Sequence, residues 1–214
     1  NGSIITEAAT GPDVIITGTA ASKNFGYALT TGDLNADGEV DLAVGAYGAN
    51  AAYIFYNDGS YPTTAGTANV TITGASDFGI SLTTGDLNAD GEVDLAVGAY
   101  SVSSSAGAIY IFYNDGSIPT TAGTADITIT GEASSRIGYP VITGDFNADG
   151  KTDLASAAYY YSSVTGRVYI FHNDGSIPTT AATADVIITG ETASDNFGSN
   201  LASGDLNADG RTDL

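Results

Sequence analysis

The residues best placed for chemistry are twelve aspartates and four asparagines at fixed spacing in four copies of Asp-x-Asn-x-Asp-Gly-x-x-Asp. The copies begin at Asp33, Asp86, Asp145 and Asp205 and end at Asp41, Asp94, Asp153 and Asp213. Ca²⁺ is a hard cation that takes six to eight oxygens at about 2.3–2.6 Å. Side chains at positions 1, 3, 5 and 9 and a main-chain carbonyl at position 7 supply such a set. The candidate ligands are therefore Asp33, Asn35, Asp37, Glu39 and Asp41; Asp86, Asn88, Asp90, Glu92 and Asp94; Asp145, Asn147, Asp149, Lys151 and Asp153; and Asp205, Asn207, Asp209, Arg211 and Asp213. Position 7 is Glu39, Glu92, Lys151 or Arg211, an indifference to charge that fits a residue giving only its carbonyl. Glycine at position 6 (Gly38, Gly91, Gly150, Gly210) lets the loop turn without a Cβ clash.

Charge strengthens the metal reading. The formal net charge is −20, and the four loops hold twelve aspartates among the 25 acidic residues of the chain. Carboxylates gathered in threes repel one another unless a cation sits between them, so folding is expected to be linked to about four bound Ca²⁺. Four such ions, each of charge +2, would bring the formal charge from −20 to −12. With only five Lys and Arg, phosphate-mediated nucleic-acid binding and attraction to anionic membranes are both disfavoured. The absence of cysteine removes disulfides and thiolate metal sites. The first residues, NGSIITEAAT, show no basic stretch followed by an apolar core, and no apolar run approaches the length of a membrane span. Open calcium loops are filled where calcium is plentiful, so the expected location is extracellular or the cell surface, and the sequence reads as a segment of a soluble secreted protein.

The elements that must hold these loops form a repeat. Loop starts are separated by 53, 59 and 60 residues. Each unit carries four β-like runs, exemplified by FGYALTTGD (25–33, strand A), VDLAVGAY (40–47, B), AAYIFYN (51–57, C) and ANVTITG (68–74, D). They are short, rich in Val, Ile, Thr, Tyr and Phe, and bounded by Gly, Asn, Asp and Pro. No segment sustains a helical period, so the expected fold class is all-β. The expected divisions are 1–57, 58–114, 115–173 and a partial fourth repeat, 174–214. The A-to-loop distance is eight residues in every copy, and the span from the end of C to the end of D is eighteen in all three. Insertions fall only in the B–C and D–A connections. In an up-and-down sheet one end is thus fixed and carries the metal loops, while the other varies.

Four-stranded antiparallel units repeated at this period are expected to be blades of a β-propeller, with a calcium loop in each A–B hairpin. FG at the start of A, then GDLNADGEVDLAVGAY and AAYIFY, resembles the FG-GAP repeat of integrin α-subunit propellers and their bacterial relatives. The resemblance covers nearly the whole chain and implies Ca²⁺ in each motif-bearing hairpin and ligand recognition at the opposite end. Departures are Ile137 in place of Phe, Ser156-Ala157 in place of Val-Gly, and Pro140 inside strand A, which suits an edge strand. The sequence opens on a D-like run at 13–18 and stops as a fourth B begins, which suggests an array continued by further sequence or completed by a neighbour.

Other residues carry less. His172, the only histidine, stands where Tyr56 and Tyr113 stand in sister repeats and reads as a substitution. No nucleophile–base arrangement is legible, so no enzyme is expected. The NDGS segments at Asn57, Asn114 and Asn173 read as hairpin turns, and the IPTTAGTA and IPTTAATA stretches as solvated loops. Tyr47, Tyr100 and Tyr159, with Tyr160 and Tyr161, enter the variable B–C loops and are candidate contacts for a protein or glycan ligand. Two functions follow: a non-catalytic, calcium-stabilised recognition or adhesion module, or a structural subunit that self-associates into a filament or surface array.

Overall fold

The computed structural model describes residues 14–214; the opening residues and the first residue of the D-like run lie outside the described residues. Among the described residues, twelve strands make three four-stranded antiparallel sheets. The first holds β1 (Ala28–Gly32), β2 (Asp41–Ala46), β3 (Ala51–Phe55) and β4 (Val70–Thr73). The second holds β5 (Ser81–Gly85), β6 (Asp94–Ala99), β7 (Ala108–Phe112) and β8 (Ile127–Thr130). The third holds β9 (Val141–Gly144), β10 (Asp153–Ala157), β11 (Arg167–Phe171) and β12 (Val186–Thr189). In each, strands pair in sequence order, as in an up-and-down propeller blade, and the three sheets do not close on one another.

Residue choice follows the two-sided environment of the inner strands. In β6 all six residues of DLAVGA are buried, because the sheet is covered on both faces. The core lies between sheets. Ile54, Leu82, Val97 and Phe112 belong to one buried cluster, and Ile111, Leu154, Tyr169 and Phe171 to a second. Small residues let neighbouring sheets approach: a Cβ on Gly45 would collide with the Gly79 carbonyl, and one on Gly98 with that of Gly138. The FG of one repeat thus seats on the VGA glycine of the repeat before it. Edge strands β1, β5 and β9 lie side by side through threonine rungs, with Thr30 Oγ1 3.0 Å from Thr84 Oγ1 and Thr83 Oγ1 3.0 Å from Thr143 Oγ1.

Several expectations change in detail. Strands are one to three residues shorter at many ends than the apolar runs. The proline-threonine stretches are not simply solvated: each closes on a single 3₁₀ turn, at Ala65–Thr67, Ala122–Thr124 and Ala181–Thr183, whose first alanine is buried. The B–C insertions form one-turn helical segments, Val102–Ser105 and Tyr161–Val164, with serines in the left-handed region. The fourth A run, 197–205, forms no strand and makes only a bridge between Gly204 and Asp213, since a strand A takes its hydrogen bonds from a strand B. Thr17 of the D-like run bridges Thr64, as Thr73 bridges Thr121 and Thr130 bridges Thr180. Pro140 immediately precedes the edge strand β9. Ser156 serves this position directly: its Oγ donates to the Pro140 carbonyl at 2.8 Å and accepts from Gly138 N–H at 3.2 Å.

Candidate metal centre

The first three nonapeptides lie where the spacing puts them, in the turn from A to B, and the fourth is flanked by the Gly204–Asp213 bridge. In the first, Asp33 Oδ1 accepts from Asp37 N–H at 3.1 Å and Asp33 Oδ2 from Gly38 N–H at 2.8 Å. Asn35 Oδ1 accepts from Asp37 N–H at 3.1 Å, and Asp37 Oδ1 from Glu39 N–H at 2.8 Å. Loops two and three repeat this pattern bond for bond, and loop four keeps the same main-chain bonds to Asp205, Asn207 and Asp209. The position-6 glycines have φ between 86° and 95°. A second left-handed residue, which sequence reasoning missed, is the alanine at position 4: Ala36, Ala89, Ala148 and Ala208 have φ of 58°, 61°, 60° and 62°.

The ninth residue differs from the rest. Asp41, Asp94 and Asp153 are fully buried, whereas Asp37, Asp90 and Asp149 are exposed. Asp94 Oδ2 accepts from Leu87 N–H and Oδ1 from Asn114 N–H, both at 2.8 Å. Burial pushes the Asp94 carboxyl up to about 6, opposed by these two N–H donors and assisted by Asp90 and Asp86. Burial raises Asp41 in the same way. The one salt bridge among the described residues joins Arg167 to Glu132, so none of the three buried aspartates has a basic partner.

Among the described residues, no three His, Cys, Asp or Glu side chains are gathered into a metal-ready cluster. The carboxylates instead rest on the loop's own N–H groups, the arrangement that mutual repulsion favours without a cation. The donor set still fits a hard cation. All side-chain donors are oxygen atoms, a carboxylate oxygen that accepts one N–H keeps a further lone pair, and a buried carboxylate without a basic partner gains from a positive charge beside it.

The opposite end carries the aromatic residues. Asn57 N–H donates to Asp41, placing the C–D turn beside the A–B loop. Asp77 N–H donates to Asn50 Oδ1, placing the D–A connection beside the B–C turn at the other end. There the tyrosines touch one another. Tyr47 and Tyr27 rings lie 4.8 Å apart, Tyr27 and Tyr139 hydroxyls 3.1 Å apart, Tyr139 and Tyr159 rings 6.3 Å apart and Tyr159 and Tyr160 rings 4.6 Å apart. The Arg136 guanidinium sits over Tyr160 at 4.1 Å and Tyr100 at 5.7 Å. Tyr160 is exposed, while Tyr47, Tyr100, Tyr159 and Tyr161 are half-buried. Tyr161 lies under Arg167 at 3.6 Å, and Arg167 and the buried Tyr169 hydroxyl both donate to Glu132. Tyr27, Tyr139 and Arg136 were not singled out in the sequence; the recurring Gly-Tyr after the first residue of strand A was the available signal. His172 offers its main-chain N–H to Asp185, as Tyr113 does to Asp126.

Comparison with known proteins agrees with this geometry. Human integrin alpha-7 is 41% identical over 99 residues, covering 41% of this chain and 8% of the relative. Drosophila melanogaster integrin alpha-PS2 is 32% identical over 228 aligned residues, covering 93% of this chain and 16% of the relative. Human phosphatidylinositol-glycan-specific phospholipase D is 33% identical over 153 residues, covering 61% of this chain and 18% of the relative. The chain thus spans between 8 and 18% of the length of these relatives. The family model for the FG-GAP-like repeat matches residues 33–97 and 145–214, more than half of the chain. Its matched segments contain loops one to four, and the chain belongs to the FG-GAP-like repeat family.

Proposed function

We propose that this chain is a non-catalytic, extracellular recognition or adhesion module whose blades are stiffened by Ca²⁺ in the four loops. Asp, Asn and the position-7 carbonyl would hold the ion, and its charge would offset the three carboxylates of each loop. The observation that carries the recognition role is the continuous aromatic surface from Tyr47 through Tyr27, Tyr139 and Tyr159 to Tyr160, which crosses from the first sheet to the third. Tyrosines offer large, rigid contact area with a polar tip, suited to a protein or glycan ligand. Its place at the end where loop lengths vary supports the same reading. The integrin relatives carry it toward a protein ligand at the cell surface. Screening the calcium-loaded chain against a glycan array and a panel of extracellular matrix proteins tests it: binding lost in Tyr27→Ala and Tyr160→Ala supports the surface, and binding indifferent to both contradicts it.

Self-association into an array is the second reading, favoured by exposed apolar side chains in the first repeat, with Leu29 of β1 62% and Val40 of loop one 55% exposed. Sizing in calcium separates the two, since discrete monomers support recognition and long polymers support the array.

A further inference from the structure

The metal loops are not isolated from one another. Asn114, 1% exposed, donates its main-chain N–H to Asp94 Oδ1 of loop two at 2.8 Å and its side-chain Nδ2 to the Asp33 carbonyl of loop one at 3.2 Å. Asn173, 3% exposed, makes the same pair of contacts one repeat later, to Asp153 Oδ1 at 2.8 Å and to the Asp86 carbonyl at 3.4 Å. Donation to a carbonyl fixes which way the Asn114 amide faces, and that orientation is kept although its buried Oδ1 has no donor. A second contact joins the same loops. The position-8 side chains of loops two, three and four sit on the glycine just before the preceding loop. A Cβ on Gly32 would lie 2.7 Å from Val93, one on Gly85 2.7 Å from Thr152, and one on Gly144 2.8 Å from Thr212.

Resting on the metal reading above, we propose that Asn114 and Asn173 are positioning residues that couple neighbouring loops, so that calcium fills them cooperatively along the array. Each asparagine ties the first residue of one loop to the ninth residue of the next. Ordering loop one fixes the Asp33 main chain, which fixes Asn114, which holds Asp94 Oδ1 in place for loop two. A second ion then enters a loop already partly ordered, which is positive cooperativity, and the coupling is reciprocal. Loops three and four share the Thr212 contact.

The position-6 glycines give a readout for each loop, because each donates its N–H to the first aspartate of its own loop. Calcium chloride is titrated into the isotope-labelled full chain while the Gly38, Gly91 and Gly150 amide signals are followed. Disabling loop one with Asp37→Ala should raise the half-saturation concentration at Gly91 about fivefold or more. In an Asn114→Ala background the same substitution should shift Gly91 much less, the remainder passing through the Val93 contact. Asp90→Ala with Asn173→Ala, read at Gly150, repeats the test at the next junction with independent variants, and Gly32→Ala should weaken coupling through the Val93 contact. A Gly91 titration indifferent to Asp37→Ala while all glycines respond to calcium overturns the coupling and leaves the metal reading intact. Glycine signals that ignore calcium altogether overturn both.

Discussion

Replacing Asp90 by alanine separates a metal cage from an ordinary turn. Asp90 is exposed, and its carboxylate accepts only Glu92 N–H at 2.8 Å and Asn88 Nδ2 at 2.7 Å. Solvent competes for both, so without metal their loss should cost about 1 kcal/mol or less. With calcium the same residue supplies a ligand at position 5. A site held at 100 times its dissociation constant stabilises the folded chain by about 2.7 kcal/mol. For a domain of this size each kcal/mol moves the melting temperature by roughly 2–4 °C. Melting of the wild type and Asp90→Ala, in chelator and in calcium, should therefore show a shift of at most ~4 °C in chelator and about 5–15 °C in calcium, where the lost binding adds to the chelator effect. Equal shifts under both conditions would refute the reasoning and leave loop two as a hydrogen-bonded turn.

Three further outcomes are expected. Gly98→Ala drives a Cβ into the Gly138 carbonyl, where neither backbone can yield, and should destabilise by about 2 kcal/mol or more in chemical denaturation, whereas Gly204→Ala, with open space around it, should stay within about 1 kcal/mol of wild type. Glu132→Ala leaves the buried Tyr169 hydroxyl and Arg167 without their shared acceptor and should cost about 1–3 kcal/mol in the same assay, with calcium affinity unchanged by calorimetry. Tyr100→Ala with Tyr160→Ala removes both rings that hold Arg136 and should weaken capture of a glycan or matrix-protein ligand about tenfold or more without altering calcium titrations.

Much of this molecule was legible because its information is local. The loop spacing, the apolar runs and the invariant distances between them identified the strands, their order and the end that bears the loops. Pro140, read as lying inside strand A, stands just before β9, and Ser156, read as a departure, turned out to serve that proline. What escaped depends on contacts between repeats. Asn114 reads as a turn residue from its own neighbours, and its bond to Asp33 crosses 81 positions, where no local pattern reports it. Tyr27 and Tyr139 are 112 positions apart, and in the second repeat the same place holds Ile80, so neither periodicity nor composition joins them. The left-handed alanines at position 4 were hidden by the glycine two places on, which alone carries the usual sequence signal for positive φ. The fourth strand A failed to form because strand propensity alone does not supply hydrogen-bond partners.

Anomalous diffraction from crystals grown in calcium tests the central claim most directly. The account predicts a calcium peak in each loop, coordinated by the side chains of Asp33, Asn35, Asp37 and Asp41 and the Glu39 carbonyl, and by the equivalent residues of the other loops. Loops that hold no ion at saturating calcium, with their carboxylates still resting on their own N–H groups, would contradict it.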